Sequence, residues 1–531
     1  MRLPSTILAL ALGLPGLVLG YAVPIHELMP GRALASEPAL AEKLPAVTPG
    51  QLDAFRMWLD DAFRAHPDAA VRARYVQRYP TPAAFTARAF KRLMSLNDDL
   101  PQNGFDRAQG LPCTALEALR LGSAQADTDW RNRERIAHDD QGRPMKLSDG
   151  RDVPADPLIL NFGSVRGLSS QAHAHYALTS APLSSDPQVF RSTPWLFALP
   201  AGWPAGPVRA FGRENCQLHY DLGVLALLWG DPAGRALGHL FLGHGMHYLE
   251  DVGNQIHTVQ IGHYDLLKKA KFLYWQRALI TLGGYLADLK PWTRVGIELV
   301  TTHHVLSENL NAKRVLEAVA GKPVPPVIQE VLAGLTVDDP ELVADFAKGV
   351  PAAAPGPAPR PARAAALLGC VVERSCREGG EVYRHMAGAL DPRMARYGVL
   401  VDSEDVDPDA ALGPGDDPEV AAHLDALYHL HARAYRRVGT ALRRLYAAFA
   451  EDSRAATPED RARRVRSFAD ALLVERLDML DGEAARLAQY LRDPPRASAP
   501  SVHEPIFALW PLVPIALLLL LRRRRLQRGV N

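Results

Sequence analysis

The chain has 531 residues, too many for one ordinary core, so its length argues for two or more folded units. Hydrophobic residues make up 47% of it, and 60 basic against 59 acidic side chains leave a net charge of +1. That balance describes a foldable globular protein and excludes a global electrostatic case for nucleic acid or an anionic surface as partner.

Residues 1–20 place Met1-Arg2 before an apolar run from Ile7 to Leu19 and end in Gly20, the layout of a secretory signal peptide. The run is short and broken by Pro15, which disfavours a retained anchor. The body expected after cleavage opens Tyr21-Ala-Val-Pro-Ile-His26. From 50 to 100, Leu52, Phe55, Trp58, Leu59 and Phe63 recur at helical spacing. A further helical run ends in the polar cluster Asp127-Thr128-Asp129-Trp130, and residues 133–156 carry the Asp-Gly and Gly-Arg-Pro signals of a surface loop. His173 and His175-Tyr176 follow, then a Ser/Pro-rich loop to about Pro194.

The densest chemistry lies between Gly238 and His263, which hold five of the eighteen histidines: His239, His244, His247, His257 and His263. Leu240, Phe241, Leu242, Met246 and Leu249 between them have helical spacing. On a helix His247 and Asp251 are i and i+4, so an imidazole and a carboxylate leave one face a turn apart and can meet on one divalent ion. Gly253-Asn254 is expected to break the helix and swing His257 toward the same pocket. Two amphipathic helices are expected next, Tyr264 to about Leu289 and Arg294 to Val319, the second repeating the His-acid spacing with His304 and Glu308.

Residues 350–364 read as a Pro/Ala-rich linker and 365–493 as a helical region, either packed on the preceding domain or standing as a stalk. Within it Leu424, Leu427, Tyr428, His431 and Tyr435 have helical spacing, while His423, His429 and His431 read as surface or packing residues. A second linker, 494–504, leads to the apolar stretch 505–521, at the short limit of a membrane span. Arg522 to Arg525 open the basic tail 522–531, which should stay cytoplasmic and leave the body facing the periplasm or exterior. The four cysteines permit bridges between Cys370 and Cys376 and between Cys113 and Cys216, but form no CxxC zinc site. Walker A, GxSxG and dinucleotide motifs are absent.

A mostly helical chain that repeatedly sets His and Asp/Glu at ligand spacing argues for a multinuclear metal site between helices. Nitrogen and oxygen donors suit zinc, and also manganese or iron. The sequence resembles the zinc-dependent phospholipase C / P1 nuclease family, whose signature is approximately H-Y-x-G-D-x-x-x-P-x-H. His247, Tyr248, Asp251 and His257 match it, with Glu250 in place of Gly and Gln255 in place of Pro.

The resemblance covers roughly residues 21–320 and implies an all-α fold around three zinc ions. The ligands it implies are Tyr21 through its free amine and carbonyl, His26, Asp127, His175, His247, Asp251, His257, His304 and Glu308. Asp129, His173 and His263 are the substitutes where gaps are longer than in compact family members. It further implies phosphoester hydrolysis with Asp127 as base, although a helix cap also explains Asp127. The substrate expected for 21–349 is a phospholipid headgroup ester, the chain being membrane-anchored. A nucleic acid substrate on the same scaffold is the close alternative, and a non-catalytic metal-binding or interaction protein another. A carboxylate-bridged di-iron bundle fits less well, since it calls for Glu-x-x-His pairs.

Overall fold

The computed structural model describes residues 23–94, 113–126, 177, 195–197, 208–209, 212–258, 307–352, 362–397 and 417–492, together with Pro144, Lys146 and Gly150. Tyr21, Asp127, Asp129, His173, His175, His263 and His304 lie outside these residues. So do the signal segment, most of the first linker, the second linker, the 505–521 stretch and the basic tail.

The described chain is mostly helical. The first helices are α1 (Val23–Ala33), α2 (Pro49–Arg64), α3 (Ala69–Arg78), α4 (Ala87–Leu93) and α5 (Ala115–Gln125). The central pair is α6 (Gly212–Trp229) and α7 (Pro232–Gly253), and α7 is followed by a 3-10 turn, Gln255–His257. Then come α8 (residues 307–319), α9 (Pro326–Gly334) and α10 (Pro340–Gly349). Three long helices finish the description: α11 (Arg363–Tyr397), α12 (Pro418–Asp452) and α13 (Pro458–Arg492). Among the described residues, strands form two short antiparallel pairs, β1 (Lys43–Leu44) with β2 (Cys113–Thr114) and β3 (Trp195–Phe197) with β4 (Val208–Arg209). No helix among the described residues is long and apolar enough to cross a membrane.

Local chemistry starts many of these helices. Thr48-Pro49, Asp231-Pro232, Asp339-Pro340 and Asp417-Pro418 each combine a capping oxygen with a proline at the first helical position. The oxygen accepts from an amide with no partner in its own helix, and proline lacks one of those amides and is already set at helical φ. At α5 the cap is reciprocal. Glu117 N–H donates to Thr114 Oγ1 (3.2 Å), and Thr114 N–H donates to Glu117 Oε2 (2.6 Å).

Helix α7 is buried on every side, from Ala236 through Gly253. A helix apolar all round belongs in a core, and here α6 and α5 cover two of its sides. Gly122 of α5 and Gly243 of α7 meet at that crossing. A Cβ on Gly243 would stand 2.2 Å from the Leu119 carbonyl oxygen, and one on Gly122 equally close to that of Leu240. Only hydrogen fits, so the two backbones touch and Ser123 is carried to the level of His247. Helix α1 lies along α5, burying Ile25 and Met29 and delivering His26 to the same level.

The helices beyond the first linker pack on this centre; they are not a stalk. One continuous core runs from Ile25 to Leu480, with α11 and α12 against α6, α7 and the 3-10 turn, and α13 against α2 and α6. Gln255, the residue standing where the resembled family has proline, makes the joint. Its Nε2 donates to Glu378 Oε2 (2.7 Å) and to the Leu430 carbonyl (3.3 Å). Ser375 Oγ donates to the Gly253 carbonyl at 3.3 Å.

The disulfides that the sequence permits do not form: all four cysteines are free. Cys370 and Cys376 sit on the one helix α11, six residues apart, which separates them by about 9 Å along the axis and about 120° around it, beyond the reach of a disulfide. Cys376 instead meets the Thr258 carbonyl, with Sγ 3.1 Å away.

Candidate metal centre

Three elements bring imidazoles to Asp251, in the last turn of α7, and a fourth backs one of them. Its own helix supplies His247, with Nε2 3.1 Å from Asp251 Oδ2. From α1 comes His26, its Nε2 3.7 Å from Asp251 Oδ1. The 3-10 turn contributes His257, with Nδ1 3.8 Å from the same Oδ1 and Nε2 2.8 Å from Glu308 Oε1 of α8. The expected break after Gly253 is present. Helix α7 ends there, and Asn254 caps the new turn through the Ile256 amide, which aims His257 back at the carboxylate.

Of the nine expected ligands, His26, His247, Asp251, His257 and Glu308 are thus brought together; Tyr21, Asp127, His175 and His304 fall outside the described residues. His239 belongs elsewhere: it packs near Tyr446 and Phe449, with Nδ1 on the Arg235 carbonyl.

Two residues that sequence reasoning did not assign hold the histidines in place. His247 Nδ1 lies 2.9 Å from the Ser123 carbonyl oxygen. A carbonyl only accepts, so this nitrogen carries a proton, and Nε2, which faces Asp251, is the nitrogen that would ligate an ion on giving up its own proton. His26 Nδ1 lies 2.6 Å from Glu250 Oε2, and Ser123 Oγ donates to that same oxygen at 2.7 Å. The His26 and His247 rings stand 4.1 Å apart. Ser123 therefore serves both histidines, one through its backbone and the other through Glu250.

His26, His247 and Glu250 each place a ligand-capable atom within 4.8 Å of the others, a buried group that could hold a metal ion. The same histidines also turn Nε2 toward Asp251. The hydrogen bonds at Nδ1 make that second side the better ligand face, with Glu250 as the carboxylate that orients His26.

The electrostatics favour a cation. Asp251 and Glu250 are fully buried and Glu308 is nearly so. Buried carboxylates of this kind are costly unless compensated by charge and hydrogen bonds. Burial lowers the His247 imidazole, but Asp251, Glu250 and the Ser123 carbonyl together outweigh it and the net shift is upward. His257 behaves alike, burial opposed by Asp251 and Glu308 with a net rise. Against the three carboxylates Glu250, Asp251 and Glu308, a bound divalent ion would supply two positive charges at one point. Imidazole and carboxylate donors without thiolate fit zinc.

Further histidines flank this centre. His431 of α12, read from sequence as surface or packing, is buried on the Glu308 side and pushed down to about 4 by burial, against the opposing Glu308 charge. His219 of α6 stacks on His244, ring centroids 4.8 Å apart, with Nδ1 on the Asn215 carbonyl at 2.8 Å. Burial first and then His244 hold the His219 imidazole well below its ordinary range. His219 lies in the polar first half of α6, among Glu214, Gln217 and Asp221, but no acid stands three or four residues from it to mark it.

No protein-family model matches the chain, and no curated protein or solved structure matches it either.

Proposed function

We propose that this is an exported, membrane-anchored, zinc-dependent phosphodiesterase, of the phospholipase C type, cleaving a phospholipid headgroup ester. The observation that carries the reading is the Asp251 carboxylate, flanked by imidazoles from three separate elements with Glu308 beyond them. Such a carboxylate is suited to bridging ions. The same five residues are those for which the resemblance implied ligand roles.

Within this reading His26, His247 and Asp251 hold one side of the cluster, and His257 with Glu308 the other. Glu250 and Ser123 fix the imidazole faces so that little reorganisation accompanies loading. Bound zinc would supply Lewis-acid polarisation of the phosphate and a more acidic water. Asp127 is the proposed base. His26, His247, Asp251 and His257 are buried, which strengthens each of these interactions.

The test is metal content by mass spectrometry on the chain exported so that Tyr21 is its first residue. It is repeated on His247→Ala and on a form extended by one residue before Tyr21. Two to three zinc ions, reduced in both variants, with hydrolysis of phosphatidylcholine vesicles, is the expected result. Cleavage of single-stranded nucleic acid instead of lipid would move the substrate and keep the centre. Little zinc, unaffected by His247→Ala, would remove the hydrolase reading altogether.

A further inference from the structure

Away from Asp251, a second histidine pair joins α11 to α12. His385 Nδ1 and His423 Nδ1 are 3.1 Å apart, their rings 5.3 Å between centroids and inclined by 59°. Both side chains are half-buried. The contact is built for, because a Cβ on Gly388 would stand 2.3 Å from the His423 ring. Glycine one turn past His385 leaves the slot into which His423 fits. Ion pairs fix the same two helices nearby: Arg433 reaches Glu378 at 3.0 Å and Glu381 at 3.3 Å, and Arg437 reaches Glu378 at 2.6 Å.

We propose that His385 and His423 form a bis-imidazole site for a divalent transition-metal ion, clamping α11 to α12 independently of the buried centre. Imidazole nitrogens bind such ions at about 2.0–2.1 Å. At that length, nitrogens 3.1 Å apart subtend roughly 100° at the ion, between the square-planar and tetrahedral angles. The two nitrogens stand at the separation a chelated ion requires, and a rotation of the rings, which the 5.3 Å centroid distance sets nearly head-on, would turn both lone pairs to it. Half-burial leaves the remaining coordination positions to water. Burial, followed by the neighbouring His423, lowers the His385 imidazole, so it offers a lone pair at neutral pH. Glu381, one turn before His385, is paired with Arg433 and opposed by Arg384, so the local charge is near balance and the imidazoles carry the site. Copper(II) is the strongest binder in the divalent series and is the probe of choice.

The experiment uses the full chain preloaded with zinc and titrated with copper(II), following electron paramagnetic resonance and retained zinc together. One further ion per chain is expected, with nitrogen hyperfine structure from two imidazoles and no loss of zinc. His385→Gln and His423→Gln should each weaken it by about tenfold or more without changing zinc content. A readout free of variants is oxidative footprinting of the unaltered chain with copper(II), ascorbate and oxygen, which should mark the peptides bearing His385 and His423. Absence of that footprint, or equal copper binding in both variants, would overturn the proposal and leave an imidazole–imidazole hydrogen bond. Failure of the buried centre to take zinc would leave this result unaffected, because the two sites share no residue.

Discussion

His26 and Glu250, 224 positions apart in sequence, meet through a 2.6 Å contact in which imidazole Nδ1 faces a fully buried carboxylate. The pairing ties α1 to the last turn of α7 and sets which face of His26 looks toward Asp251. If Glu250 orients His26 for metal, removing its charge should loosen the ion while leaving the fold in place. Glu250→Gln is expected to weaken zinc binding by about 10- to 100-fold, in the range seen when a carboxylate behind a ligating histidine is lost. Competition against a chromophoric chelator measures it. An unchanged affinity would show that Glu250 is structural only.

Ser123 offers a separate handle on the same network. Its hydroxyl donates to Glu250 Oε2, whereas its contact with His247 is through the backbone carbonyl and survives mutation. Ser123→Ala therefore removes one hydrogen bond to a buried carboxylate, expected to cost about 1–3 kcal/mol. Urea denaturation of the metal-free chain should show this as a shifted midpoint at constant slope. Loss of the whole transition would mean the serine does more than this bond.

The crossing of α5 and α7 depends on an absence of side chain. Gly243→Ala would press a methyl against the Leu119 carbonyl, which is backbone and cannot rotate away. The helices must separate, and overpacking of this kind costs about 1–3 kcal/mol. Because the crossing sets Ser123 against His247, metal affinity should fall together with stability. A variant that loses stability yet binds zinc normally would disconnect the crossing from the centre.

How much of this was readable from the sequence divides by range. The i,i+4 relation of His247 and Asp251, and the break that returns His257, follow from helix geometry and a Gly-Asn step, and both are present. His26 and Glu308 were reached through spacing and resemblance, and the fold brings them in. Glu250 was visible as a departure, but its meaning rests on α1 and α5 crossing α7 at one level, which no local pattern encodes. Ser123 acts partly through its carbonyl, and backbone groups leave no trace in residue type. His431 lies four residues after Leu427 on the buried face of α12, so its spacing marked burial without marking the carboxylate beside it.

The joint between α11, α12 and the 3-10 turn leads to a pH-dependent prediction. Burial, the largest single influence, raises the Glu378 carboxyl, but the hydrogen bond and charge of Arg437 together with Gln255 and Arg433 outweigh it, so the net shift is downward. A carboxyl held below its unfolded value contributes stability that is fully present above the unfolded pKa, about 4.5. That contribution is lost as pH falls through the lower folded value. Glu378→Gln should therefore reduce the melting temperature at neutral pH. The gap from the unaltered chain should close as both are titrated below about pH 4.5. Since Gln255 precedes His257 by two residues, the loosened turn should also release zinc more readily at neutral pH. Thermal melts across that range, read with zinc retention, test both parts. A gap that persists undiminished into acid would show that Glu378 acts by shape, not charge.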